Sequence, residues 1–347
     1  MTTSSPGARR ALPDSPRLGV RIAGTGSCVP EDRLHNSELA LVMETSDEWI
    51  RQRTGIVERR VVNHDRQECT TSLGTQALRR ALANAKMEPG ELDLLILATV
   101  TGEMTCPSTA CRVAALVGAD NAGAFDVAAA CSGFVYSLNT AHELIRGGGY
   151  RSIAVVGCDV LSPYVNYSDA GRGTAILFGD AAGAAVLRAS DDPSLGIIAQ
   201  VMRADGSRWK DLYMPMTRRD IPAGADLSQV RTRCLQMNGR EVYKFAVTTF
   251  GDLIEETLAK ANLRPDDVDQ FVCHQSNARI LESARQRFGI PAEKMYVNID
   301  RIGNTSAGSV PLCFDELRQL GRIREGQIIL FVAFGGGLTW ASSLWQL

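Results

Sequence analysis

The chain predicts an α/β protein built on buried, mixed sheets, and three observations carry that reading. Apolar strand-like runs alternate with helix-period segments along most of its length. A pattern in the first half returns in the second at one constant offset. The 347 residues, 45% hydrophobic and 22% charged, suffice for two ordinary domains or one large one with a sizeable core.

The elements follow in chain order. An apolar run predicts a strand over 20–24, and helical patterns follow over 36–44 and 47–53. The segment 70–86 reads as a helix that stops before Pro89-Gly90, and the apolar run 94–99 reads as a strand. A helix over 108–116 precedes a strand over 124–127. A helix over 132–146 then stops at Gly147-Gly148-Gly149. Strands follow over 153–157, 182–187 and 197–202, and a long helix over 240–261. The last third reads as a strand over 270–273, a helix over 277–288, a strand over 295–298, a helix over 306–320 and a strand over 328–333.

The repeat is visible in punctuation. Lys86-Met87-Glu88-Pro89-Gly90-Glu91-Leu92-Asp93 leads into one strand, and Asn262-Leu263-Arg264-Pro265-Asp266-Asp267-Val268-Asp269 leads into another. The offset that lays Pro89 on Pro265 also lays Ile153-Ala154-Val155-Val156 on Ile329-Leu330-Phe331-Val332, and Cys131 on Ala307. Helix–Pro–acid–strand punctuation is common in α/β chains, but three agreements at one offset point to a duplicated half. The break falls at the turn-rich Asp191-Asp192-Pro193. The chain therefore divides into a floppy tail over 1–17, a first half over 18–191 and a second half over 192–347. Two such halves facing each other bring the loops after equivalent strands to one cleft.

Bulk properties exclude several classes. The net charge is −2 with no basic stripe, which argues against nucleic acid. The longest apolar runs are too short to cross a bilayer, and 1–17 holds no apolar stretch of signal-peptide type. Nine cysteines, an odd number without CxxC spacing, suggest free thiols in a reducing cytoplasm, with neither a disulfide framework nor a metal site.

Cys131 is the strongest chemical candidate. In Phe125-Asp126-Val127-Ala128-Ala129-Ala130-Cys131-Ser132-Gly133 a strand passes through small residues into a helix. A helix N-terminus favours a thiolate, the nucleophilic form; a buried structural cysteine is the alternative. His274 directly follows a strand, where it is either catalytic or a hydrogen-bonded structural group. Asn304 stands ahead of a helix, where Asn also serves as a cap. Gly335-Gly336-Gly337 follows the last predicted strand and lets backbone N–H groups approach a ligand, unless it is a plain turn. Cys, His and Asn together suggest acyl transfer through a covalent thioester. Papain-like peptidases present the same three residue types in that order, but their signature around the nucleophile is absent.

With those residues placed, the chain resembles the β-ketoacyl-acyl-carrier-protein synthase III family from about Arg21 to its C-terminus. The motifs are Thr45-Ser46-Asp47-Glu48-Trp49-Ile50 with Arg53-Thr54-Gly55-Ile56, Ala-Ala-Cys131-Ser-Gly-Phe, Phe178-Gly179-Asp180, His274-Gln275-Ser276-Asn277, Gly303-Asn304-Thr305-Ser306 and Phe334-Gly335-Gly336-Gly337. The resemblance implies a thiolase fold, two duplicated halves in five αβαβα layers, assembled as a homodimer. It implies that Cys131 takes an acyl group from acyl-CoA, and that His274 and Asn304 serve decarboxylative condensation with malonyl carrier protein. The backbone N–H groups of Cys131 and Gly336 would form the oxyanion hole. Trp49, Arg53, Arg172 and Asn277 would bind CoA, and Lys244 and Arg279 would attract the acidic acyl carrier protein. No resident cofactor or metal is implied.

Two departures stand out. Cys106 replaces the phenylalanine that closes the acyl pocket across the dimer in acetyl-specific members, which implies room for longer or branched acyl groups. The loop 164–173 reads as slightly long, which bears on the Arg172 contact. Degradative thiolases carry a second catalytic cysteine near the C-terminus, and none follows Cys313 here. A polyketide starter-unit synthase, an acyltransferase to O or N acceptors, and a non-catalytic carrier-docking protein remain as alternatives.

Overall fold

Five strands form the first sheet: β1 (Gly19–Cys28), β2 (Leu94–Ala98), β3 (Gly123–Val127), β4 (Ser152–Asp159) and β5 (Ala181–Ser190). They lie in the order β1-β5-β4-β2-β3, with β4, β2 and β3 parallel and the other pairs antiparallel. The second sheet holds β6 (Gly196–Ala204), β7 (Gln270–Cys273), β8 (Ile328–Gly335) and β9 (Thr339–Gln346), in the order β7-β8-β9-β6. This computed structural model describes residues 18–347. The tail read over 1–17 lies outside the described residues.

The helices relevant to the layers are α1 (Asp47–Thr54), α2 (Thr70–Ala85), α3 (Thr109–Val117), α4 (Gly133–Arg146), α5 (Gly239–Ala261), α6 (Ala278–Arg287) and α7 (Ser309–Gln319). Contacts fix the stacking. α4 and α7 touch strands of both sheets, α2 and α3 cover the outer face of the first, and α5, packed against α6, covers the second. The result is the expected five-layered αβαβα arrangement.

Each buried sheet face explains why its strands read as continuous apolar runs. Between the sheets, Phe134 and Leu138 of α4 pack with Phe314 of α7, Phe331 of β8 and Trp345 of β9. The close approach of the halves demands a missing side chain at Gly157 in β4. A Cβ there would fall 2.2 Å from the Ala307 carbonyl oxygen.

Three readings need correction. The helix expected over 36–44 exists only as Asn36–Leu39. Glu44 gives its backbone N–H to Asp169 Oδ1 at 2.5 Å and its carbonyl to the Arg172 guanidinium, so the chain there is drawn toward the 169–172 turn. The strand expected over 295–298 is absent apart from one bridge, Phe271 to Met295. The Gln275 side chain takes its backbone groups instead, donating to Tyr296 O at 3.1 Å and accepting from Asn298 N at 3.1 Å. Conversely, β9 was not expected. It carries buried serines, satisfied by neighbours: Ser342 Oγ lies 2.5 Å from Thr257 Oγ1, and Ser343 Oγ accepts from Trp345 Nε1 at 2.7 Å.

Candidate active site

The three chemical candidates meet. Cys131, His274 and Asn304 line one cavity, although they come from three separate loops. Cys131 lies in a single 3-10 turn, Ala130–Ser132, that feeds α4. Ala130 holds a left-handed φ of 44°, a conformation that costs a non-glycine residue about 1 kcal/mol or more. Its equivalent at the repeat offset, Ser306, is left-handed too, with φ 49°. The duplication thus extends to the strained backbone on which the site is built.

Asn304 is fixed from three sides. Its N–H donates to Leu177 O at 2.8 Å, its carbonyl accepts from Gly179 N at 2.9 Å, and its Oδ1 accepts from Ser306 N at 2.9 Å. That use of Oδ1 leaves the Nδ2 donors for the cavity. Phe178-Gly179-Asp180 is the support. A Cβ on Gly179 would come within 2.5 Å of Ile302 O, and buried Asp180 accepts from Val62 N, Leu161 N and Ser162 N.

His274 is buried, its Nδ1 2.7 Å from Ser309 Oγ and its ring edge-on to Phe334. Burial drives its pKa down to about 3, so the ring is neutral at ordinary pH. Ser309 Oγ also reaches Ser306 O at 2.9 Å. The one Ser309 hydroxyl proton goes either to Ser306 O or to Nδ1, and only the second arrangement leaves Nε2 carrying the ring proton.

The expected thiolate at Cys131 is corrected here. Burial pushes its pKa up to about 12, outweighing a hydrogen bond from Ser306 and the N–H groups of Cys131 and Gly336. Cys131 precedes the α-helix proper by two residues and is only 5% exposed, so desolvation of the anion outweighs the dipole. The thiol is protonated at rest, and attack must be coupled to loss of its proton. The same contacts place the Gly336 N–H at the sulfur.

Three cavities run together. A mouth of about 500 Å³ is lined by Trp49, Arg53, Arg240, Lys244, Asn277 and Arg279. Leu177, Met237, Gly239, Tyr243 and Asn277 are shared with the catalytic cavity. Cys131, Phe178 and Leu212 are shared with an inner apolar chamber of about 210 Å³, walled by Val100, Leu161, Met214 and Leu235. Through these shared walls a basic surface adjoins the thiol, and the thiol adjoins apolar side chains.

The remaining candidates fall as follows. The guanidinium carbons of Arg53 and Arg172 each lie 5.2 Å from the Trp49 ring centroid, a cation–π cluster at the mouth. The 164–173 loop holds one 3-10 turn, Asp169–Gly171, runs into the short helix Arg172–Ala175 and places Arg172 beside Trp49. Asn277 caps α6, accepting from Arg279 N at 2.9 Å, and donates to Arg53 O at 3.0 Å. Its amide is therefore already engaged. Arg279 lies over Tyr243, and Lys244 is 3.5 Å from Glu241. Cys106 is exposed and lines none of these three cavities of its own chain.

Several functional groups escaped the sequence reading. Ser306 ends the Gly303–Ser306 motif and Ser309 follows three residues later, yet only the fold brings their hydroxyls to Cys131 and His274. Asp159 ends an apolar strand fully buried, accepting from Thr99 Oγ1, Val100 N and Thr101 Oγ1 at 3.0, 2.8 and 3.1 Å. A carboxylate closing a hydrophobic run was the available signal. The chamber walls Leu212, Met214 and Leu235 come from an irregular stretch without periodicity.

Comparison with known proteins agrees with this geometry. Residues 125–206 match the family described as 3-oxoacyl-[acyl-carrier-protein] synthase III, and 258–347 match its C-terminal family. The β-ketoacyl-[acyl-carrier-protein] synthase III of Caldanaerobacter subterraneus subsp. tengcongensis is 45% identical over 328 residues, 94% of this chain and 98% of that one. The crystal structure of 3-oxoacyl-[acyl-carrier-protein] synthase III from Aquifex aeolicus aligns with a TM-score of 0.86 at 40% identity, covering 95% of this chain and 100% of the other. The priming β-ketosynthase of the R1128 polyketide pathway aligns with a TM-score of 0.87 at 35% identity, covering 97% and 99%. The chain belongs to the β-ketoacyl-[acyl-carrier-protein] synthase III family of thiolase-fold condensing enzymes.

Proposed function

We propose that this protein loads an acyl group from acyl-CoA onto Cys131 and condenses it with malonyl carrier protein, starting fatty-acid synthesis. The observation that carries the reading is the set of adjoining cavities that takes in a basic mouth, then Cys131, His274 and Asn304, then an apolar chamber. In the first step the sulfur attacks the thioester carbonyl, and the proton it loses ends on the departing CoA sulfur. In the second, malonyl thioester loses CO2, and its α-carbon forms a bond to the acyl carbonyl. The Cys131 sulfur leaves and takes up one proton. Neutral His274 and the Asn304 amide are donors for the enolate oxygen. The N–H groups of Cys131 and Gly336 serve the tetrahedral oxyanion, where losing one donor costs about 10²–10³ in rate.

The mouth suits the substrates. Trp49 with Arg53 and Arg172 offers a stacking face and positive charge for the CoA nucleotide. Lys244 and Arg279 offer charge to an acidic carrier protein. The apolar walls Val100, Leu161, Met214 and Leu235 suit an acyl chain, and with Cys106 in place of a phenylalanine we read the site as open to primers larger than acetyl. Intact-mass analysis after mixing with acetyl-, isobutyryl- and octanoyl-CoA tests this. Adducts are expected with the larger primers at least as fast as with acetyl, and a 3-oxoacyl product only when malonyl carrier is added. Loading without any carbon–carbon product would move the reading to a plain acyltransferase; no adduct from any acyl-CoA would leave a docking protein.

We read 18–191 and 192–347 as the duplicated halves, and the cytoplasm as the compartment, which nine unpaired thiols suit. Homodimerisation is supported by β3, an unpaired sheet edge with Phe125 39% exposed. The start of α3, just after Cys106, is tied to that edge by Asp126, which accepts from Thr109 N and Ala110 N at 2.7 Å. Cys106 would then face a partner's chamber. Sedimentation is expected to give a dimer at micromolar concentration; a monomer there overturns the assembly and the role of Cys106 together. The 35% identity to a polyketide priming synthase keeps a second pathway open. Product analysis with each class of carrier separates the two.

A further inference from the structure

We propose that Thr339, acting with Ser132, is a positioning residue that holds the two oxyanion donors in register. This rests on the acyl-transfer reading above. The two N–H groups come from turns more than two hundred residues apart in sequence, one before α4 and one between β8 and β9. Two close contacts, Thr339 to Ser132 and Thr339 to Ala129, join those turns, and two more brace each turn from within. Thr339 Oγ1 is 2.6 Å from Ser132 Oγ, 3.0 Å from Ala129 O and 3.0 Å from Gly336 O, and Ser132 Oγ is 2.8 Å from Ala129 O.

The cluster brackets both donors. Ala129 and Ser132 flank the Cys131 turn, and Gly336 is itself the second donor. Two hydroxyl protons serve the four contacts, and the turns are joined when Ser132 donates to Thr339 or Thr339 donates to Ala129 O. The glycine turn needs this support, because it has no side chains with which to anchor itself. Its far side is held by Leu338, whose N–H and C=O pair with Asp205 at 3.0 and 2.8 Å. Thr339 holds the near side. The tolerance is small, since a Cβ on Gly335 would fall 2.6 Å from Cys131 N. An oxyanion hole loses its advantage when a donor drifts, because its benefit comes from donors fixed before charge develops.

The prediction separates two anionic sites. The oxyanion hole serves acyl transfer, whereas His274 and Asn304 serve decarboxylation and are not part of the cluster. Thr339→Val keeps the shape and removes the hydroxyl. It is expected to lower kcat for acyl loading by about 10- to 100-fold with KM for acyl-CoA changed by no more than about twofold. Malonyl decarboxylation should stay within about twofold of native. Thr339→Ser should restore loading to within about threefold, and Ser132→Ala should show a smaller loss of the same kind. Melting temperatures of the variants serve as the control for folding. Loading by Thr339→Val at the native rate overturns the proposal. So does a parallel fall in loading and decarboxylation that tracks a lower melting temperature and is not restored by Thr339→Ser. Native protein that takes no acyl group from any acyl-CoA instead overturns the functional reading, and the staple with it.

Discussion

Cys131→Ala is expected to abolish acyl loading, lowering the rate from acyl-CoA by at least about 10³-fold, with the fold intact. The sulfur lies where the catalytic cavity meets the inner chamber, so no other thiol can deliver an acyl group into the same apolar walls. The remaining cysteines supply the control. Cys111 is exposed, and a surface reaction would label it before the buried thiols. Peptide mapping of the adduct should find it on Cys131 alone in the native protein and nowhere in the variant. An adduct that survives the substitution, or maps to an exposed thiol, would remove the nucleophile from the proposal. The raised pKa adds a sign. Because burial pushes the thiol up to about 12, its thiolate fraction rises about tenfold per pH unit through the neutral range. Alkylation of Cys131 by a small haloacetamide, without substrate, should therefore climb steadily from pH 7 to 10. A plateau below pH 8 would mean that the helix end and the surrounding N–H groups outweigh desolvation.

How much of this was legible follows from what each residue's signal depends on. β2, β4, β7 and β8 were readable because a strand buried on both faces needs an unbroken apolar run, and each has one. β9 was not, because its interior serines are tolerated only through side-chain partners, Ser342 through Thr257 of α5 and Ser343 through the Trp345 indole on the same strand. The false strand over 295–298 has a suitable apolar start, but Gln275 competes for its backbone from a distance that no local pattern reveals. The site divides in the same way. Cys131, His274 and Asn304 were visible as polar or reactive residues where strands end and helices begin. The protonation states were not, since both follow from burial: it lifts the thiol and lowers the imidazole, against the dipole argument that local sequence suggests. Thr339 carries no signal at all until the fold brings its hydroxyl to Ser132.

His274→Ala should separate the two halves of the reaction, because neither acyl capture nor the oxyanion hole needs the ring. Malonyl decarboxylation is expected to fall by about 10²–10³-fold, while acyl loading of Cys131 changes by less than about fivefold. Asn304→Ala should behave alike, and the double variant should lose much less than the product of the two, since both donors act on one enolate oxygen. Asn304→Ala also leaves Ser306 N without its acceptor, so its melting temperature should drop more than that of His274→Ala. The pH dependence is the sharper test. A ring whose pKa is held near 3 stays neutral as pH falls from 8 to 5, so its donor capacity does not change in that window. The decarboxylation rate of the loaded enzyme should be flat there with respect to this group, and only acid approaching pH 3 should convert the ring to a cation. A step in that rate near pH 6.5, absent from the alanine variant, would show that the imidazole titrates as an exposed one does. The burial that keeps the ring neutral would then be absent in solution.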